Sequence, residues 1–232
     1  MLLTPEEWEI IGLSLRVSLV AVGLTMPVAF AIAWALARGR FPGKVLLDAL
    51  VHLPLVLPPV VTGWLLLLLF GNNTPVGHNL MSWFGFGFIF RWTGAALAAA
   101  IMALPLMVRT IRLSLDAIDP RFENAARTLG ATPWNSFVTI TLPLALPGLL
   151  AAMVLGFARS LGEFGATITF VSNIPGETRT LPLAIYSALQ TPNGDTMVVR
   201  LSLVAIGLSL CALIVAELLV RGKPNAEHAR VV

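Results

Sequence analysis

Two residues of opposite charge, Arg159 and Glu163, stand four apart in the otherwise apolar run GLLAAMVLGFARSLGEFGATITF. On a helix that spacing brings the side chains together. An arginine in a membrane span costs at least about 2.5–3.5 kcal/mol, so it must face protein or water and hold a partner. Two roles suit such a pair. The charges can neutralise each other and lock a bundle. Alternatively, Arg159, Ser160 and Gly162 line a route for an anion, and Glu163 limits how tightly it is held, because a conduit must release what it binds. A second apolar run, HLPLVLPPVVTG, carries Pro54, Pro58 and Pro59. Prolines remove backbone donors and kink or interrupt a helix, and in lipid such breaks persist only where neighbours or water satisfy the freed carbonyls. The bend is read either as packing or as a wall of a solute path.

Other chemistries find no residues to carry them. Gly43-Lys44 is followed by Val45 and Gly222-Lys223 by Pro224, so no phosphate-binding Gly-x-x-x-x-Gly-Lys-Ser/Thr loop occurs and ATP hydrolysis is not expected of this chain. His52, His78 and His228 lack metal-ligand or nucleophile spacing, and His52 reads as an interfacial histidine. The one cysteine, Cys211, sits in an apolar run without a disulfide partner and reads as a small core residue. With no nucleophile, base and orienting group in one pattern, a membrane enzyme is disfavoured.

The elements that must position these residues are set by composition. Of 232 residues, 57% are hydrophobic and 12% charged, and the mean hydropathy is +0.86. A soluble domain carries about a quarter charged residues, so this is an integral membrane protein. The net charge of +3 does not gather into a basic patch interleaved with stacking aromatics, which excludes nucleic acid as a partner. Membrane lipid is the expected solvent. Glu6, Glu7 and Glu9 precede the first basic residue, Arg16, unlike the positive start of a cleaved signal, so the first span is expected to remain.

About five spans follow, the first of them long enough to cross a core of about 30 Å at about 1.5 Å per residue. Span one lies between Arg16 and Arg38, span two at 46–70, and span three at 93–108 with its small residues GAALAAAIMALP. Span four is expected from Pro147, and counting from there puts Arg159 roughly 18 Å in, near mid-bilayer. Span five is LSLVAIGLSLCALIVAELLV, and Glu217 lies close enough to its end to reach the interface. The aromatics of 71–92 (Trp83, Phe84, Phe86, Phe88, Phe90, Trp92) suit a lipid–water boundary. Within 172–195, LPLAIYSAL suits a short re-entrant or interfacial helix. Ten of the 15 Lys and Arg fall in the turn after span one, in 109–147 and in the polar tail. The positive-inside rule makes that side cytoplasmic, with the N-terminus outside and the C-terminus inside.

The stretch 109–147 is too charged for hydrocarbon, carrying Arg109, Arg112, Asp116, Asp119, Arg121, Glu123 and Arg127. Asp119-Pro120 opens a short helix, Gly130 stops it, Thr132-Pro133 opens another, and Pro143 and Pro147 punctuate the return to the membrane. Ala125 and Ala126 leave room for another protein's backbone. The chain reads as a single domain, 1–232, with a water-facing loop at 109–147.

Ala125-Ala126, Gly130 and Ile140-Thr141-Leu142-Pro143 resemble the "EAA" loop of ABC-importer permease subunits, with Asn124 at the place of the pattern's leading Glu and Glu123 just before it. The whole chain resembles bacterial molybdate ABC importer permeases through FPGK (41–44), LPLVLPPVV (53–61), PLMVRTIRLSL (105–115) and ARSLGEFGATITFVSNIPGETRTLPLAIY (158–186). The resemblance implies an all-α, polytopic helix bundle of the type I importer (MetI-like) fold in the bacterial inner membrane. It also implies a homodimer with one central pathway and two cytoplasmic ATPase subunits docked on the loops, which hold the ATP and Mg. An extracytoplasmic (periplasmic) binding protein delivers an oxyanion, molybdate or tungstate. Glu123, Asn124, Ala125, Ala126, Gly130, Ile140, Leu142 and Pro143 would then couple to the ATPase, and this chain itself binds no cofactor. Sulfate or thiosulfate permeases share much of the GEFGA region and form the alternative; a stand-alone secondary transporter or channel would have no use for a docking loop.

Overall fold

The computed structural model describes residues 3–71, 74–85 and 87–221. Asn72, Asn73, Phe86 and the polar tail from Gly222, with Lys223 and Arg230, lie outside these residues. Among the described residues every regular element is helical. Helix α1, Pro5–Arg38, starts a dozen residues before the expected span. The early start has a local cause: Thr4 Oγ1 accepts from the Glu7 N–H at 3.3 Å and Glu7 Oε2 accepts from the Thr4 N–H at 2.7 Å, a reciprocal cap that draws Glu6, Glu7 and Glu9 into the helix.

Span two is two helices, α2 (Lys44–Val56) and α3 (Pro59–Phe70), meeting at 116°. Leu57, held extended ahead of Pro58, ends the first, and Pro59 in the opening turn of the second loses no donor. Pro54 is tolerated inside α2. Helix α4 (Pro75–Phe84) lies in the aromatic stretch, ahead of α5, Trp92–Asp116.

Helix α5 passes straight through Arg109 and Arg112, so the charged stretch begins on a continuous helix and irregular chain starts only after Asp116. Its last turns hold charge on the outside of a continuous helix, where Arg112 pairs with Asp116 at 3.6 Å and with Asp48 of α2 at 3.2 Å. After α6 (Pro120–Thr128) and one turn of α7 (Pro133–Ser136), a π-helical turn at Phe137–Thr141 leads into α8, Leu142–Leu161. Pro133–Leu161 therefore forms one helical run long and apolar enough to contain a membrane span, and Pro143 and Pro147 do not break it. In a regular helix the Pro143 ring would press on the carbonyl one turn back; the widened turn just before it, closed by the Leu142 N–H on the Phe137 carbonyl, makes room. Span four also stops earlier than expected. Gly162 ends α8, and GATITFV forms the separate helix α9, Gly165–Val171. Arg159 lies in the last turn of α8, twelve residues beyond Pro147 and just ahead of the Gly162 corner. Helix α10, Leu181–Leu189, is the short helix expected in 172–195, and α11 covers Asp195–Arg221.

Small residues let these helices approach, as lipid offers no hydrophobic drive for helix association. Ala95, Ala96, Ala98, Ala99 and Ala103 of α5 are buried, as are Ala21, Ala29 and Ala33 of α1 and Ala145, Ala151 and Ala152 of α8. One core joins α1, α5 and α8 through Leu36, Met107, Ile111 and Leu149; a second joins α1, α3, α5 and α9 through Val17, Leu66, Ala99 and Phe170. A third, with Ile11, Leu161, Leu181 and Leu201, holds α10 and α11 on the bundle. Cys211 is exposed, in an open groove that α11 forms with α1 and α8. The core expectation fails because lipid is as apolar as a core, so hydropathy does not separate the two.

Candidate functional site

The candidate coupling segment is built from local chemistry. Asp119 Oδ1 accepts from the Arg121 N–H at 2.9 Å and starts α6. Gly130 ends it at φ +89°, and the Ala131 N–H reaches back to the Ala126 carbonyl at 3.0 Å, closing a left-handed C-terminal cap. Thr132 Oγ1 accepts from the Asn135 N–H at 3.2 Å to start α7. Asn124 and Ala125 are exposed and Ala126 is half-buried. Sequence reasoning missed the apolar residues around them: Leu129 is 90% exposed, Trp134 71% and Phe122 57%. Three large apolar groups thus stand in the open on a charged segment, and their exposure is legible only once the helix faces are known.

Glu123 and Pro143, grouped with this surface by the sequence pattern, differ in placement. Glu123 turns inward: its Oε1 accepts from Arg38 Nη2 at 3.1 Å and from Thr141 Oγ1 at 2.8 Å. Ile140 and Leu142 are half-buried around the π-turn and Pro143 is exposed beside it.

At the far end of α8, Arg159 Nη1 and Glu163 Oε2 form the expected ion pair at 2.7 Å, with the Glu163 side chain 2% exposed. The other Glu163 oxygen accepts from the Ala166 N–H at 2.9 Å. Glu163 thus binds Arg159 and caps α9, a second job hidden by the expectation of one unbroken span. Ser160 is buried with its hydroxyl unpartnered, and Gly162 is exposed at the corner. The proline break comes alongside. A Cβ on Gly165 would stand 2.7 Å from Pro59 Cβ, and one on Gly63 would stand 2.6 Å from the Ala166 carbonyl oxygen, so α3 lies in near backbone contact with α9. Pro59 is therefore brought next to the Glu163 corner. Pro58 and Pro54 are not drawn into that contact; Pro58 sits exposed at the bend and Pro54 half-buried within α2. His52 Nδ1 lies 2.8 Å from the Asp48 carbonyl, at the charged end of α2.

Charge divides between two ends of the bundle. Arg38, Glu123, Asp48, Arg112 and α6 share one. At the other, Arg200 meets Glu7 at 2.8 Å, Arg179 meets Glu6 at 3.5 Å, and the Arg16 guanidinium lies 3.8 Å over the Trp92 ring.

Comparison with known proteins fits this arrangement. The family described as binding-protein-dependent transport system inner membrane component matches residues 26–223. The molybdenum transport system permease protein ModB of Escherichia coli K12 is 56% identical over 95% of this chain and 96% of its own length. Its Haemophilus influenzae counterpart is 57% identical over 91% of this chain and 92% of its own. Among solved structures, a bacterial ABC transporter involved in the import of the acidic polysaccharide alginate superposes with a TM-score of 0.74 at 19% identity, covering 96% of this chain and 82% of that one, which establishes a shared fold. The all-helical permease fold expected from sequence is the fold observed, and the chain belongs to the binding-protein-dependent transport system inner membrane components, multi-pass proteins of the bacterial inner membrane.

Proposed function

We propose that this chain is the membrane permease of an ATP-driven molybdate importer. The observation that carries the reading is the exposed Phe122, Leu129 and Trp134 around Ala125-Ala126, a docking surface on a helix bundle that has no nucleotide-binding loop. Relatives of 56–57% identity over nearly the whole chain are molybdenum permeases, which supports molybdate over the sulfate alternative.

Two copies of the chain would enclose one pathway, each presenting α6 to a cytoplasmic ATPase subunit that holds ATP and Mg. An extracytoplasmic binding protein would deliver the oxyanion at the opposite end. Closure of the ATPases on ATP draws the α6 helices together and opens the path outward, and hydrolysis resets it, which requires docking contacts that differ between the two states. The crowding of Arg38, Arg112, Arg121 and Arg127 toward the α6 end supports placing that end in the cytoplasm and the start of α1 outside. Arg159 and Ser160, beside the α3–α9 contact, are the groups of this chain that an oxyanion would meet, and Glu163, by holding Arg159, keeps its grip weak.

The test is uptake into vesicles carrying the chain, its ATPase and its binding protein. ATP-dependent molybdate uptake with sulfate left outside is expected, with tungstate as the second anion to assay. Equal sulfate uptake overturns the substrate assignment. Uptake that persists without the ATPase makes the chain a stand-alone transporter.

A further inference from the structure

The resemblance places Glu123 among the groups that meet the ATPase, yet its carboxylate points the other way. Its Oε1 collects two donors from elements far apart in sequence, Arg38 in the last turn of α1 at 3.1 Å and Thr141 at the end of the π-turn at 2.8 Å. The Glu123 side chain is 16% exposed and Thr141 is buried, so the pair of bonds is drier than an ordinary surface ion pair and correspondingly stronger. The π-turn sets this geometry. It fits an extra residue into one turn and so rotates Phe137–Thr141 relative to the helix beyond; π-turns of this kind recur at functional positions.

A second strut runs in parallel. Exposed Trp134 lies 5.6 Å, ring to ring, from Phe137, which meets Trp34 of α1 edge-on at 5.0 Å. Both routes connect the docking helices to α1 and to the start of α8. α6 itself buries no residue, so with no core of its own it depends on these contacts for its orientation.

We infer that Glu123 is a positioning residue: it bolts α6 to the ends of α1 and α8, so that a push on α6 moves two membrane helices as one body. The idea rests on the importer reading above and deepens it. Without the bolt, α6 still binds its partner but swivels under load, and ATP turnover no longer moves the helices.

Two measurements test this. The first needs no ATPase. In full-length protein with Cys211→Ser, spin labels at Ala31→Cys in α1 and Thr128→Cys in α6 report the distance between the helices. A narrow distribution is expected with Glu123 intact and a clearly broader one with Glu123→Ala, restored by the exchange Arg38→Glu with Glu123→Arg. An unchanged width in Glu123→Ala overturns the bolt, whatever becomes of the importer reading. The second uses the assembled transporter. Glu123→Gln, Arg38→Ala and Thr141→Val should each keep the ATPase bound while molybdate moved per ATP falls about tenfold, the size expected for one charge-assisted hydrogen bond. Arg38→Ala with Glu123→Ala should be no worse than either alone. Loss of ATPase binding in the Glu123 variants alone, or additive losses, would show that Glu123 serves the partner and overturn the inference. A wild-type chain that retains no ATPase refutes the importer reading, and the spin-label result still decides the bolt.

Discussion

Replacing Gly63 with alanine should weaken the protein at one identifiable place. A Cβ there would lie 2.6 Å from the Ala166 carbonyl oxygen, 2.8 Å from Thr169 Cβ and 3.0 Å from Ala166 Cα. Two of those atoms are backbone, so no rotamer change relieves the clash. Helices α3 and α9 must separate by the better part of an ångström, which costs about 1–3 kcal/mol by the measure of other overpacked cores. For a chain of this size about 2 kcal/mol lowers the melting temperature by about 4–8 °C. Gly23, with nothing within 4 Å of its added methyl, is the matched control, and Gly23→Ala should be neutral or slightly stabilising because alanine favours helix. Thermal unfolding of both purified variants in one detergent is the assay. The same contact braces the Glu163 corner, so Gly63→Ala should also lose transport while the ATPase stays bound. Equal melting temperatures for the two variants would refute the reasoning that α3 and α9 meet backbone to backbone.

Arg159→Ala should be the most damaging change in α8, costing about 3–5 kcal/mol, because it strands a buried carboxylate. Adding Glu163→Gln should recover much of that loss, since the amide oxygen can still accept from the Ala166 N–H; simple additivity in thermal unfolding would argue against the pair. Gly130→Val forces a β-branched residue to φ +89° at a cost of about 1–2 kcal/mol, and should reduce ATPase binding while leaving membrane insertion and the melting temperature of the bundle nearly unchanged. If binding is unaffected, the α6–α7 corner is not what the partner grips.

Much of the α6–α7 corner was legible in the sequence because its devices are short-range. Asp119-Pro120, Gly130 and Thr132-Pro133 each satisfy or free a backbone group within three residues, so their chemistry can be read without the fold. The Arg159–Glu163 pair was legible for the same reason, being one helical turn apart. Errors arose where a residue's effect depends on what lies around it. Pro143 and Pro147 read as punctuation ahead of the fourth span, yet a widened turn accommodates Pro143 and one helical run continues from Pro133 to Leu161. Pro58-Pro59 signalled a break but not the angle of 116°, which packing against α9 sets. Periodicity could not show that Glu123 faces Arg38, 85 residues away, nor that Leu129 and Trp134 stand free.

In the proposed importer α6 faces the cytoplasm and is covered there by another protein. With Cys211→Ser as background, a cysteine at Leu129 tests it through its reaction with a membrane-impermeant thiol reagent. Labelling is expected in inside-out vesicles stripped of the ATPase, with protection when the ATPase is restored and no reaction in intact spheroplasts. Labelling in intact spheroplasts would contradict it.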